Sequence, residues 1–311
     1  MVHRIGKKKY IIKAMDVESH NDMESIAKNE TSIWLGCYLD ENSKVDDESS
    51  YFYTIREFLE RIRIDSSKKR NKAKTRLISN LAIYIYNASF EWSFILPHML
   101  EMGFKWKAKI SDEDEMVFNT IGTKSCSSIW EVNIKFSAKN GIVKLRDLAK
   151  MFSGGLGKVA KSFNLETQKG EIDYTLNRLH DYKVTAEEKE YCFKDTRIII
   201  EILEKMTDDK DFWNSISASS YAMKKLIKRG YPKSYRPYKM FRASYPELDE
   251  EETNFLREGV EGGITYAPEG YQFKDIAQKI VHIDAHQMHP TSAYKNLFPY
   301  GKGEYFKGKP P

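Results

Sequence analysis

The stretch "KYIIKAMDVESHND", residues 9–22, begins as an apolar strand pattern and ends in acids. Residues i and i+2 of a strand project to the same face, so Asp16 and Glu18 should lie side by side. Two adjacent carboxylates repel each other, and one holds a proton unless a cation lies between them. Because oxygen ligands favour hard cations, the pair is a candidate Mg²⁺ or Mn²⁺ site. A helix-capping cluster or a chance surface pair would show the same spacing.

Three further side chains extend this acidic pattern. Glu91 follows a second apolar strand pattern, "LAIYIYN", at the first turn of a predicted helix. Tyr191 and Asp195 are four residues apart in "YCFKD", so they share one face of a later helix. Four carboxylates from three separate elements can hold two divalent cations about 3.5–4 Å apart and support hydrolysis at phosphorus. The phenol would orient the attacking water.

This order of motifs resembles the DEDDy 3′–5′ exonucleases, whose fold is RNase H-like. More narrowly, it resembles the exonuclease domain of the protein-primed family-B DNA polymerases of bacteriophages, linear plasmids and some organelles. "DVE" resembles the first exonuclease motif, "NASFEW" the second and "YCFKD" the third. The resemblance implies two Mg²⁺ or Mn²⁺ ions, four acidic ligands and one water-orienting phenol: Asp16, Glu18, Glu91, Asp195 and Tyr191.

The same resemblance implies contacts with DNA. "QKGEIDY" is similar to a stretch in which a lysine assists the exonuclease, and Lys169 stands in that place. Asn87 and Phe90 would contact a single-stranded 3′ end, where Phe90 offers a stacking face that any base can use. Leu148 occupies the leucine of a Ser/Thr-Leu substrate motif. By residue type alone, Phe90 also fits a core position and Lys169 a solvated surface.

Two positions depart from the family pattern. Glu91 stands where the family has Asp, and the extra methylene moves the carboxylate by about 1.5 Å. A misplacement of about 1 Å can lower a rate about 10²-fold, so the nuclease is either adapted to the longer side chain or slow. Asp147 stands where the family has Ser or Thr. A carboxylate there would repel phosphate, so a substrate contact at this position is in doubt.

The last third of the chain resembles the start of a polymerase domain. "VEGGITY" is similar to a YxGG motif, which implies that Gly262 and Gly263 approach DNA. "IDAHQMHPTSAY" is similar to polymerase motif A, with Asp284 as the first palm aspartate and a metal ligand in a full-length protein. Val260 and His289 replace tyrosines of these motifs, which weakens the match.

The predicted fold class is α/β. Residues 1–206 should form an RNase H-like exonuclease domain, a mixed central sheet flanked by helices. Residues 207–311 should form linker helices and an incomplete α+β polymerase palm. No second carboxylate motif or fingers helix follows motif A, so we expect the N-terminal part of a longer polymerase that does not extend a primer.

Composition bounds the partners and the compartment. The net charge of +5 is compatible with a polyanionic partner, and the basic run "KKRNKAKTR" is either a solvated loop or a phosphate contact. The sequence contains no run of about 18 apolar residues, so no membrane helix is predicted, and no secretory signal is visible. The expected location is the cytoplasm of a phage-infected or plasmid-bearing cell, or an organelle. Expected partners are single-stranded DNA 3′ ends, primer–template DNA and, in a full-length protein, a terminal protein.

Three hypotheses of function follow from these patterns. The first is an active, metal-dependent 3′–5′ exonuclease that proofreads for a protein-primed replicase. The second is a DNA-end-binding module in which the change to Glu91 has weakened catalysis. The third is a stand-alone RNase H-like nuclease that acts on RNA.

Overall fold

The structure is a computed structural model that describes residues 1–20, 32–67, 79–123, 128–173, 176, 178, 182–233 and 236–258, with a few positions beyond 258. The chain divides into two compact units, Met1–Lys225 and Leu226–Pro311. The basic run of residues 68–76 lies outside the described residues. The proposed domain boundary at residue 206 stays a prediction.

A mixed sheet forms the centre of the first unit. Its nine strands are β1 (Val2–Ile5), β2 (Lys8–Ser19), β3 (Ile33–Leu39), β4 (Tyr51–Phe52), β5 (Leu81–Ile85), β6 (Lys105–Trp106), β7 (Val117–Gly122), β8 (Ile129–Lys135) and β9 (Val143–Asp147). They are ordered β4-β3-β2-β5-β9-β8-β7-β6, and β1 pairs with β2. Strands β2, β5 and β9 are parallel neighbours, whereas β3 runs antiparallel to β2.

Helices cover both faces of this sheet. The helices of the first unit are α1 (Ile55–Asp65), α2 (Ala88–Glu101), α3 (Leu156–Ser162), α4 (Ala186–Lys205) and α5 (Lys210–Trp213), and α6 (Ala218–Gly230) follows them. One buried cluster joins α4 to one sheet face, and a second joins α1 and α2 to the other face. A mixed sheet flanked by helices confirms the predicted fold class for this unit.

Alternate side chains of strand β2 are buried on the two opposite faces of the sheet. Ile12 and Ala14 pack in the cluster with α4, while Met15 and Val17 pack in the cluster with α1 and α2. This alternation is the period of two that a strand imposes on its side chains. From Tyr10 to Met15 the central strand is therefore mostly apolar on both faces, with Lys13 as an exception that pairs with Asp65 before the acids begin.

Thr185 stands three residues before Glu188, a spacing that predicts a capping box at the start of α4, and this capping box is present. The Thr185 hydroxyl accepts a hydrogen bond from the N–H of Glu188 at 3.2 Å, and the Glu188 carboxylate accepts one from the N–H of Thr185 at 2.9 Å. These two bonds satisfy donors that a helix otherwise leaves free at its start. They fix the beginning of the helix that carries Tyr191 and Asp195.

The sequence alternates apolar and polar residues around Asn140–Gly141, which predicts a hairpin. The hairpin is present, but its two strands are joined by more than two residues. Strands β8 and β9 pair antiparallel, with Ile134 opposite Val143. The Asn140 amide donates to the carbonyl of Arg63 at 2.6 Å, and the N–H of Gly141 donates to the carbonyl of Ser66 at 2.7 Å. The turn residues therefore bind the end of α1 and also close a turn of their own, in which the N–H of Asn140 donates to the carbonyl of Ser137 at 3.0 Å.

The described residues of the second unit form two helices, α7 (Pro237–Ser244) and α8 (Glu250–Glu258). The strand predicted to end at Asp284 and most of the proposed palm segment lie outside the described residues. No helix of the described part combines the length and apolar character that a membrane span requires.

Candidate active site

A cleft of about 440 Å³ opens at the carboxyl end of β2. It is lined by side chains from β2, the connection from β5 to α2, the start of α3, the loop before α4, and α4 itself. Among them are six residues predicted from the sequence to act in catalysis: Asp16, Glu18, Glu91, Lys169, Tyr191 and Asp195. The structure thus brings together residues that are up to 179 positions apart in the chain.

The two acids of β2 lie on the face that α4 covers. Asp16 is paired in the sheet with Cys37, and both follow Ile12 and Ala14 on this face. Helix α4 covers the apolar part, and beyond it the same face reaches Asp16 and Glu18 in the cleft. The apolar strand ends in acids because its last two residues on this face, Asp16 and Glu18, line the cleft and do not pack in the core.

Burial and mutual repulsion raise the proton affinity of both acids. Burial, and then the charge of Asp195, raises the pKa of Asp16 to about 7. Burial, and then the charges of Asp16 and Asp195, raises the pKa of Glu18 to about 9. Lys169 opposes both shifts but does not cancel them. The cleft therefore carries more negative charge than its own cations balance.

Glu91 and Asp195 complete the acidic set. Glu91 lies in the first turn of α2 and is 2% exposed, and burial together with Asp16 raises its pKa well above the ordinary value. Burial also raises the pKa of Asp195, while hydrogen bonds from Lys169 and Tyr191 lower it. Within the described residues, Glu91 Oε2 and Asp195 Oδ1 are buried without a hydrogen-bond partner. Buried carboxylate oxygens usually have partners, so these two are free to bind a cation.

Lys169 contacts two members of the predicted site. Its ammonium group donates to Asp195 Oδ2 and lies 5.4 Å from the centre of the Tyr191 ring. Its aliphatic stem packs beside Gly157 of α3, where an added Cβ would lie 3.4 Å from the Lys169 Cβ. This lysine therefore lines the cleft while its side chain stays 39% exposed, which places it at the rim.

The donor set fits divalent metal. Four carboxylates from three elements line the cleft, and two of their oxygens are buried and unpaired within the described residues. Their pKa values are raised mainly by burial and, for Asp16, Glu18 and Glu91, also by neighbouring carboxylates. Hard divalent cations prefer such all-oxygen sites. Candidate ligand atoms of Asp16, Glu18 and Cys192 lie within 4.8 Å of one another.

Two predicted DNA-contacting residues also line the cleft. Phe90 is 40% exposed and contacts Phe94 edge to face, with ring centres 5.2 Å apart. Asn87 precedes α2 with φ 76°, in the left-handed region, and its side chain makes no capping hydrogen bond to the helix. The exposure of Phe90 argues against its being an ordinary core residue.

Leu148 is not at the cleft. It is fully buried in the cluster beneath α4, so its side chain packs and does not face a substrate. Its neighbour Asp147 is 3% exposed and accepts hydrogen bonds from the N–H groups of Asn87 at 3.0 Å and Ala149 at 2.9 Å. Asp147 therefore holds two backbone segments together. Asp147 is not among the residues that line the cleft, so we do not expect its carboxylate to repel a phosphate bound there.

Sequence reasoning did not single out Tyr86, which lines the cleft, or Cys192, which is fully buried beside the acids. Cys192 lies against the acids from α4, and its pKa is raised well above the ordinary value by burial and by the Cys37 side chain. Tyr86 lines the cleft and donates its hydroxyl to the carbonyl of Gly154. Each is adjacent to a predicted residue and lies inside a quoted motif, but its residue type alone gave no reason to place it at a metal site.

Three predicted residues of the polymerase segment, Gly262, Gly263 and Asp284, lie outside the described residues. A larger cavity of about 850 Å³ lies between α1, α2 and the segment before α4. Among the described residues its lining includes Trp34, Phe94 and Lys189 but no carboxylate, so the smaller cleft is the better candidate for metal-dependent chemistry.

The sheet and its flanking helices form a mixed α/β fold, and the carboxylate cleft lies at the carboxyl end of its strand β2. A family profile described as "DNA polymerase type B, organellar and viral" matches residues 176–310. The DNA polymerases of Bacillus phages phi29, M2 and Nf are each 29% identical over 231 residues, which cover 73% of this chain and 38% of the relative. Over these regions the chain is similar to family-B DNA polymerases of the viral and organellar type.

Solved structures show the same fold. Phi29 DNA polymerase complexed with primer-template DNA aligns with a TM-score of 0.71 at 23% identity and covers 97% of this chain and 48% of that one. The ternary complex with incoming nucleotides aligns with a TM-score of 0.69 at 24% identity and covers 96% of this chain and 47% of that one. The complex with single-stranded DNA aligns with a TM-score of 0.62 at 23% identity and covers 83% of this chain and 41% of that one. The chain spans less than half the length of the relatives it matches.

Proposed function

We propose that residues 1–206 are a metal-dependent 3′–5′ exonuclease domain that proofreads for a protein-primed family-B DNA polymerase. The observation that carries the proposal is the convergence of four buried or half-buried carboxylates with Lys169 and Tyr191 in one cleft. Two carboxylate oxygens there are buried and unpaired within the described part of the chain. Neither core packing nor helix capping requires such a cluster.

The acids Asp16, Glu18, Glu91 and Asp195 would hold two Mg²⁺ or Mn²⁺ ions. Bound divalent cations supply charge neutralisation at the scissile phosphate and activate water. Tyr191 is 4% exposed and shares a helix face with Asp195, so its phenol is held rigidly where it would orient the attacking water. The Lys169 ammonium would stabilise negative charge that develops at the phosphate.

Phe90 and Asn87 would bind the single-stranded 3′ end. A ring that is 40% exposed at the cleft can stack on any base, which suits an exonuclease without sequence preference. Residues 207–311 would connect this domain to a polymerase palm, with Gly262, Gly263 and Asp284 acting there. In a full-length protein, primer–template DNA and a terminal protein would be partners, in the cytoplasm of a host cell or in an organelle.

The direct test is digestion of a 5′-labelled single-stranded DNA with Mg²⁺ or Mn²⁺. We expect shortening from the 3′ end that EDTA stops and that the double variant Asp16→Ala/Glu18→Ala abolishes. The matched control is Asp46→Ala/Glu101→Ala, which removes two exposed acids elsewhere in the same unit. Digestion that persists in the cleft variant, or that fails equally in the control, contradicts the assignment.

The Glu91→Asp variant separates a nuclease from a binding module. A rate gain in this variant supports a nuclease that the longer side chain has slowed. DNA-end binding without turnover in both forms supports a binding module. Parallel digestion of DNA and RNA oligonucleotides of the same sequence tests the substrate class, and preference for RNA would contradict a proofreading role.

A further inference from the structure

The segment that carries Lys169, residues 166–173, crosses α4 and is fastened to that helix. We call this segment the strap. On one side of Lys169, the Glu201 carboxylate accepts hydrogen bonds from the N–H of Thr167 at 3.2 Å and from its hydroxyl at 2.5 Å. The Glu201 side chain is 13% exposed, and Glu201 is not among the residues that line the cleft.

A second fastening lies on the other side of Lys169. Arg178 donates from Nη2 to the carbonyl of Asp173 and from Nε to the carboxylate of Glu188, each at 2.8 Å. Arg178 is 4% exposed, and its guanidinium lies 4.6 Å from the centre of the Trp34 ring. Because Glu188 belongs to the first turn of α4, both ends of the strap are tied to the same helix.

Between the two fastenings, the strap lies close on the helix. A Cβ added to Gly170 would lie 3.3 Å from the Tyr191 ring, and one added to Gly157 would lie 3.4 Å from the Cβ of Lys169. The strap therefore has little room to slide over the ring. Since α4 also carries Asp195, any movement of the strap changes the position of the Lys169 ammonium relative to that carboxylate.

We propose that Glu201 is a positioning residue that sets the place of the Lys169 ammonium in the cleft. Glu201 acts through its two bonds to Thr167 and touches neither DNA nor metal. This inference rests on the proposed exonuclease function, in which Lys169 stabilises charge at the phosphate. Without the fastening, a lysine with four rotatable bonds would sample many positions, and fewer of them would be productive.

The test compares kcat and KM for single-stranded DNA digestion in variants of the fastening. Glu201→Gln and Thr167→Val should lower kcat by about 10- to 100-fold with KM little changed, since a displacement of about 1 Å costs up to about 10²-fold. Thr167→Ser keeps the hydroxyl and should retain most of the activity. Glu204→Gln is the matched control, since this residue lies on the same helix and is 41% exposed.

Two further measurements separate positioning from a general loss of stability. In a Lys169→Ala background, Glu201→Gln should cause no further loss, whereas a loss of the same size in both backgrounds would overturn the inference. Amide hydrogen exchange of the strap should be faster in Glu201→Gln, with unchanged exchange in β2. Unchanged exchange of the strap overturns the inference even if the parent chain does not cut DNA, in which case the proposed function has failed separately.

Discussion

Removing one acid from the cleft should stabilise the metal-free protein while abolishing its activity. Asp16 is crowded by Asp195, and burial and this charge raise its pKa from 3.8 to about 7. A tenfold change in proton affinity corresponds to about 1.4 kcal/mol, so ionising Asp16 in the folded protein costs up to about 4 kcal/mol. Asp16→Asn keeps the shape of the side chain and removes this cost.

The size of this stabilisation by Asp16→Asn depends on pH. The folded protein holds a proton on Asp16 more tightly than the unfolded chain does, so the stabilisation from protonated Asp16 is present below about pH 4 and is lost as pH rises to about 7. The gain in the free energy of unfolding from Asp16→Asn should therefore be under about 1 kcal/mol at pH 4.5 and reach about 1–4 kcal/mol at pH 8. The upper value applies only if little solvent enters the cleft.

Urea unfolding in EDTA at several pH values measures this gain directly. Asp46→Asn, at an exposed acid of the same unit, controls for the amide substitution itself. With saturating Mn²⁺ the order should reverse, because a cation that binds only the folded parent stabilises it. A variant at position 16 that is no more stable than the parent at pH 8 in EDTA would refute the electrostatic reasoning.

Three other variants test separate parts of the structure. Asp147→Ala leaves two backbone N–H groups without their acceptor and should lower the free energy of unfolding by about 1–3 kcal/mol, measured in urea; a change below about 0.5 kcal/mol would contradict this role. Gly141→Ala places a Cβ 2.2 Å from the carbonyl oxygen of Ser79 and should destabilise by about 1–3 kcal/mol, visible as a lower Tm. Lys169→Met removes a cation that lowers the pKa of Asp195, so the acid limb of the pH–rate profile should move to higher pH, and an unmoved limb would show that the two groups are not coupled.

The fold could be predicted where local patterns carry strong information. The apolar strand that contains Met15 alternates between two buried faces, and the capping box at Thr185 fixes the start of α4. Both signals depend on residues within one element. The hairpin turn at Asn140 was less predictable, because its side chain bonds to Arg63, which is 77 residues away.

The site was predictable to the extent that its residues carry charge in recognisable motifs. The acids and Lys169 meet in one cleft, as the resemblance implied. Leu148 shows the limit, because a motif position does not tell whether a side chain faces the substrate or packs beneath it. Glu201 shows the other limit, since nothing in the sequence separates a glutamate that fastens the strap from the other acids on α4.

The two departures from the family pattern, Glu91 and Asp147, meet in one part of the structure. Taken separately, Glu91 is a longer acid in the cleft, and Asp147 is a charged residue where the substrate motif has Ser or Thr. In the structure, Asp147 accepts the N–H of Asn87, the residue that starts α2, and Glu91 lies in the first turn of that helix. Asp147 therefore fixes the backbone from which Glu91 reaches the cleft. Because the position of the longer carboxylate depends on where α2 begins, the rate of Glu91→Asp measures this whole connection and not the extra methylene alone.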